Sequence, residues 1–169
     1  HHIGPDAETV RGDCGDAHVV CLVERFELEG RYDGYVKWLE ANHGTNATWH
    51  PIQDLSAPSL DAAHSLYSRL SAMLLKGQNL VVHCAAGIGR AGTTATGILM
   101  LLDMEMFDAI DATIDTQVRW VSRTRESRGD GSGACPTCHR SFQPTGRGRP
   151  GRALVWLRQD RVRHPGRHR

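Results

Sequence analysis

The chain has 169 residues, enough for one domain with a hydrophobic core, and 40% of them are hydrophobic, as in a globular protein rather than a disordered one. Its formal charge of +1 hides an asymmetry: residues 1–118 hold 7 Lys and Arg against 16 Asp and Glu, whereas residues 119–169 hold 13 Arg against 3 acids. The longest apolar run, around Ile98 to Leu102, is far too short to span a membrane, and no basic-then-apolar leader argues for secretion.

In chain order, HHIGPDAETV opens without an initiator Met and reads as a fragment or a processed product. The residues before position 18 have weak strand character, so the sheet can be short of N-terminal edge strands. HVVCLV (18–23) is an apolar, β-branched run and reads as a buried strand. ERFELEGRYDG reads as a polar connection, and YVKWLEAN (35–42) has helical spacing at Val36 and Leu39. ATWHPI (47–52) is a strand ended near a proline. Ser59 is placed to cap a helix reaching Lys76, with Leu60, Ala63, Leu66, Leu70, Met73 and Leu74 on one face and Gly77 as its stop. NLVVH (79–83) is the next strand. A glycine-rich turn then leads into a helix from about Ala91 to Met104, and a last helix covers about Met106 to Thr124. Strands alternating with helices predict an α/β fold, with a central, mainly parallel sheet flanked by helices.

From about Ser127 the composition turns to Gly, Arg, Pro and Ser, which cannot bury enough apolar surface to offset its ordering entropy. The expected organisation is a domain over 1–126 and a mostly disordered tail over 127–169, with one short helix in ALVWLRQDRV (153–162). Solvation explains the tail's arginines better than nucleic-acid binding does. The cysteines at 14, 21, 84, 135 and 138 are odd in number and lack framework spacing, which favours a reduced, cytoplasmic setting. Cys14 and Cys21 read as plain structural or surface thiols. Cys135, Cys138 and His139 fit a c-type haem attachment pattern or half a zinc site, but no haem pocket or well-spaced further ligands accompany them, and coincidence is the better reading.

The chemistry concentrates in HCAAGIGR (83–90). Strand, glycine-rich turn, helix is an arrangement that binds anions, because turn amides and a helix N-terminus both present partial positive charge. Ala85, Ala86, Gly87, Ile88 and Gly89 would form the cradle, with Gly87 and Gly89 letting the backbone curl round an oxyanion. Arg90 can grip two oxygens through its planar fork. Cys84 stands at the mouth, where the same groups would stabilise a thiolate. A thiolate aimed at a bound phosphate is a nucleophile set for phosphoryl transfer. His83 is expected to hold the loop backbone rather than to move protons. No Lys-Ser/Thr follows the glycines, which disfavours Mg²⁺-nucleotide binding, and a dinucleotide fingerprint has no use for the cysteine.

HCAAGIGRAGT resembles the His-Cys-five residues-Arg signature of the cysteine-dependent protein tyrosine phosphatase superfamily, and looks most like its small atypical dual-specificity members. HVVCLVER resembles the family's strand ending in a Glu-Arg pair, HPIQDLSAPS its general-acid loop, and NLVVHCAAGIGRAGTTATGILM its signature and following helix. The resemblance implies a phosphatase fold over about 17–122 and hydrolysis of phosphate monoesters through a phosphocysteine, without cofactor or metal. The leaving oxygen must then receive a proton from a separate loop. Asp54, 30 residues before Cys84 and followed by Pro58, is the candidate; Asp61 reads better as the first turn of a helix, and Asp33 lies in a loop whose counterpart is not the acid.

One departure bears on turnover. The family carries Ser or Thr directly after the arginine, to donate to the departing sulfur; here the residue is Ala91, with Thr93 and Thr94 as possible substitutes. The loop also lacks the lysines with which phosphoinositide phosphatases meet extra phosphates. The expectation is a monomeric phosphatase of phosphorylated protein side chains, with a phosphate-binding module of little turnover as the alternative.

Overall fold

The two strands that carry the site are apolar on both sides because both faces of the sheet are covered. The computed structural model describes residues 7–86, 88–115 and 155–157. β1 (His18–Cys21) lies between β2 (Ala47–Trp49) and β3 (Leu80–His83), parallel to both. Val20, Leu22, Val82 and Leu80 pack on one side with Leu66, Leu70 and Leu74 of α4 (Leu60–Leu75) and Ala95 and Ile98 of α5 (Gly89–Leu101). Val19, Cys21, Val23 and Val81 pack on the other side with Ala7 of α1 (Ala7–Asp13) and Tyr35, Val36 and Leu39 of α3 (Asp33–Asn42). Continuous rather than alternating hydrophobicity is what such two-sided burial demands.

The expected capping at Ser59 is present: its Oγ accepts from the Ala62 N–H at 3.3 Å. Gly77 follows the helix at φ +93°, in the region that glycine enters without steric cost. α5 starts two residues before its expected place and crosses α4 closely at Gly97, where a Cβ would collide with the Tyr67 ring. Residues 106–115 are helical, as expected, and Thr113 Oγ1 is 3.2 Å from Thr96 Oγ1 of α5; residues 116–124 lie outside the described residues.

Three local expectations are corrected. The weak strand character before position 18 gives way to helix α1. The connection ERFELEGRYDG contains a one-turn helix, α2 (Arg25–Leu28), held by the bond from the Glu24 N–H to Glu27 Oε1 at 3.0 Å. The short helix expected within 153–162 is, over its described residues, strand β4 (Val155–Leu157), antiparallel to β3. The physical reason is the outer edge of β3, whose unpaired backbone groups take a strand more readily than a helix. Leu157 joins the hydrophobic cluster on the α4–α5 side. The sheet order is β2-β1-β3-β4. The rest of the segment read as a disordered tail, with Cys135, Cys138 and His139, lies outside the described residues.

Candidate active site

Parallel strands end at a common edge, and in this sheet that edge gathers the expected chemistry. β3 ends at His83 and is followed by Cys84. β2 runs on through His50 and Ile52 towards Asp54, kept beside the continuation of β1 by Ile52 N–H donating to Leu22 O at 3.1 Å. β1 runs into α2, which brings Glu27 to the same edge.

Cys84 is buried, with 6% of its surface exposed. Its neighbour His83 places Nε2 2.6 Å from the Tyr35 hydroxyl of α3. Ala85 is half-buried, and Ala86, Ile88 and Gly89 are exposed, at the mouth of the loop; Gly87 lies outside the described residues. Gly89 opens α5, and among the described residues nothing beyond its chain neighbours and its own helix backbone lies within 4 Å of where its Cβ would stand. Contact with the protein therefore does not demand glycine there.

Arg90 is the hub. Its Nη1 donates to Glu27 Oε1 at 2.7 Å, to Ile52 O at 2.8 Å and, at the 3.5 Å limit, to Leu22 O. Its Nη2 donates to Glu27 Oε2 at 3.0 Å and lies 3.3 Å from Asp54 Oδ1. The guanidinium thus fastens the continuations of β1 and β2 to the start of α5. The fork-to-fork pair with Glu27 raises the Arg90 pKa and lowers that of Glu27, each through the hydrogen bonds first, so both stay charged. Arg90 Nε is buried and has no hydrogen-bond partner among the described residues. A buried donor left so costs about 1–3 kcal/mol, which an oxyanion would recover.

Asp54 shares this hub, yet its side chain is 64% exposed and reaches solvent from the loop after β2. Leu55 beside it adopts φ +56°, an unusual conformation for a branched side chain, and makes the turn that carries Asp54. The two other acids lie elsewhere: Asp61 is in the first turn of α4, and Asp33 accepts from the Gly30 N–H at 2.8 Å. Ala91 is fully buried, in one hydrophobic cluster with Cys84. Thr93 faces solvent, while Thr94 is buried and its Oγ1 has no hydrogen-bond partner among the described residues.

A cavity of about 300 Å³ opens beside Cys84 and runs under α2, past Glu27, Phe26 and Tyr32. Neither this cavity nor Glu27 was apparent from the sequence, although a buried arginine calls for a carboxylate somewhere. Cys21, one strand away, is a different kind of thiol: burial pushes its pKa up to about 12, which keeps it protonated. Cys14 and Cys21 are both buried, as structural thiols. No cluster of His, Cys, Asp or Glu among the described residues could hold a metal ion, and no helix among them is long and apolar enough to cross a membrane.

Residues 15–103, over half of the chain, match the family described as polymorphic toxin system, DSP-PTPase phosphatase. Tyrosine-protein phosphatase 1 of Dictyostelium discoideum is 33% identical over 73 residues, which cover 41% of this chain and only 14% of that relative's length. The crystal structure of Tk-PTP in the active form is similar with 27% identity and a TM-score of 0.48, over 63% of this chain and 70% of that one. Its G95A mutant form gives 28% identity and the same TM-score, over 63% and 69%. The matched residues contain Cys84, Arg90, Asp54 and Glu27, and the chain belongs to the DSP-PTPase phosphatases of polymorphic toxin systems.

Proposed function

We propose that the chain hydrolyses phosphate monoesters on proteins, at tyrosine, serine or threonine, through a phosphocysteine at Cys84. The observation that carries the reading is Arg90, whose buried Nε lacks a partner among the described residues while its Nη2 contacts Asp54. An incoming phosphate takes Nε and competes with Asp54 for Nη2. That exchange binds the phosphate and frees Asp54 together. In this reading the backbone amides of Ala85, Ala86, Ile88 and Gly89 meet the remaining oxygens, and His83, hydrogen-bonded to Tyr35, supports the loop.

Two steps follow. The Cys84 sulfur attacks phosphorus; the S–P bond forms, the P–O bond to the leaving group breaks, and Asp54 gives that oxygen its proton. Water then attacks phosphorus and yields its proton to Asp54; the S–P bond breaks, the thiolate returns and inorganic phosphate leaves. The charge that develops is met by Arg90 and the loop. The chemistry needs no metal or cofactor. We place it in a reducing, cytoplasmic setting, which suits a cysteine nucleophile, and read the chain as acting as a monomer.

The family's description further motivates the reading that this activity serves as the effector of a toxin system, acting on phosphoproteins of a target cell. The alternative, a phosphate-binding module with little turnover, is favoured by one observation, the buried Ala91 where the family has a hydroxyl. Hydrolysis of para-nitrophenyl phosphate, with and without a chelator, separates the two. Turnover that survives chelation supports the enzyme; phosphate binding without turnover supports the module.

A further inference from the structure

The cavity beside Cys84 has a chemical character of its own. Two side chains of full charge line it, Glu27 and Arg31. Glu27 is neutralised by its paired bonds to Arg90. Arg31 has no carboxylate ion-pair partner among the described residues, and the acids nearest it in sequence have partners of their own. Glu29 pairs with Arg25 at 3.2 Å, and Asp33 accepts from the Gly30 N–H. The backbone of Arg31 is fixed: its N–H and that of Tyr32 both donate to the carbonyl of Leu28, at 3.2 and 2.8 Å, and Leu28 is buried. Phe26, 72% exposed, and Tyr32 line the same cavity as Arg31 and Cys84. One cavity is therefore lined by Cys84, by a cation without a carboxylate partner among the described residues and by two aromatic side chains. Its volume of about 300 Å³ is at the lower end for small-ligand sites, enough for a side chain and its neighbour but not a folded element.

We propose that Arg31 is a specificity-determining residue that reads a second anion on the substrate, an acidic or phosphorylated residue beside the phosphorylated one, while Phe26 and Tyr32 hold the intervening apolar part. This rests on the phosphatase reading of Cys84 and narrows it to acidic phosphopeptides. Arg31 contributes to binding and leaves the bond-making steps to Cys84, Arg90 and Asp54. A charge at this exposed position is screened by salt, so the preference weakens as ionic strength rises.

The test uses four phosphotyrosyl peptides, alike except for the neighbouring residue: Glu, phosphoserine, Ala or Lys. The expected kcat/KM for the Glu and phosphoserine peptides exceeds that for the Ala peptide by about fivefold to tenfold, a size typical of a partly exposed charge-assisted contact. Arg31→Ala brings the Glu-to-Ala ratio to about one, and Arg31→Glu inverts it in favour of Lys. A preference for phosphoserine alone assigns the second anion to phosphate; a preference for both assigns it to charge. Equal rates in the unaltered chain, or a ratio that survives Arg31→Ala, overturns the proposal. If no peptide is hydrolysed, the phosphatase reading fails by itself, and fluorescence anisotropy of the same peptides bound to the chain reads the Arg31 ratio independently.

Discussion

Arg90 and Glu27, 63 residues apart, meet fork to fork through bonds of 2.7 and 3.0 Å, and this pair sets the direction of the Arg90 guanidinium. Nη1 is saturated by Glu27 and two backbone carbonyls, so only Nε and the shared Nη2 are left for a ligand. Glu27 is thus a positioning residue that acts through Arg90. Glu27→Ala leaves a buried guanidinium without its counter-charge and is expected to lower stability by about 3 kcal/mol. It should also raise the inhibition constant of inorganic phosphate, because a freed guanidinium samples other directions. Glu27→Gln keeps the shape and one acceptor and should recover part of both losses. Urea denaturation and phosphate inhibition measure them; an unchanged inhibition constant in Glu27→Ala would show that Arg90 is aimed by other contacts.

For Asp54 the expected outcome depends on the leaving group. Asp54→Asn removes the proton donor and should cut turnover of an ordinary phosphopeptide by about 10² to 10⁴-fold. Nitrophenolate departs without a proton, so the loss with para-nitrophenyl phosphate should be much smaller. Equal losses for both would make Asp54 a structural partner of Arg90 instead.

Ala91 bears on the second step. With no hydroxyl at that position, breakdown of the phosphocysteine should be slower than its formation. Rapid mixing with an activated aryl phosphate should then give a burst of phenol near one equivalent of chain. Ala91→Ser should shrink the burst and raise steady-state turnover. If no burst is seen and Ala91→Ser changes nothing, the buried Thr94 hydroxyl is the donor to examine, since Thr93 faces solvent.

Stability should respond to pH through His18. The ring is buried, Nδ1–H donates to Thr45 O at 3.1 Å, and Nε2 therefore accepts from the Thr48 hydroxyl at 2.8 Å. Burial lowers its pKa from 6.5 to about 4. The unfolded chain takes up the proton first as pH falls, so stability drops between pH 6.5 and about 4, by up to about 3 kcal/mol. Glu27, whose pKa is depressed, adds a further loss below the ordinary carboxylate value of 4.5. Denaturation at stepped pH should show the first loss in the unaltered chain and lack it in His18→Gln; a slope unchanged by the substitution would assign it to other groups.

What was legible in the sequence was what a short stretch carries by itself. HVVCLV and NLVVH read as strands because burial on both faces makes them apolar throughout, and α4 is bracketed by the side-chain cap of Ser59 and the backbone freedom of Gly77. HCAAGIGR could be singled out as the candidate anion site because the residues concerned are consecutive. Glu27 was not legible, because its role depends on a partner 63 residues away and on a four-residue helix too short to show periodicity. β4 was missed for a related reason. Three residues fit a helical turn as well as a strand, and only the open edge of β3 decides between them. The contact between Asp54 and Arg90 follows from parallel strands ending together, a property of the sheet rather than of either loop.

The central claim is that Cys84 becomes phosphorylated during turnover. The direct measurement is intact-mass analysis of the chain after rapid acid quench during hydrolysis of an aryl phosphate, with fragmentation to locate the modification. The account predicts one added phosphoryl group on Cys84, absent in Cys84→Ser, which should bind phosphate yet fail to turn over. Turnover retained in Cys84→Ser, or a phosphoryl group found on another residue, would contradict it.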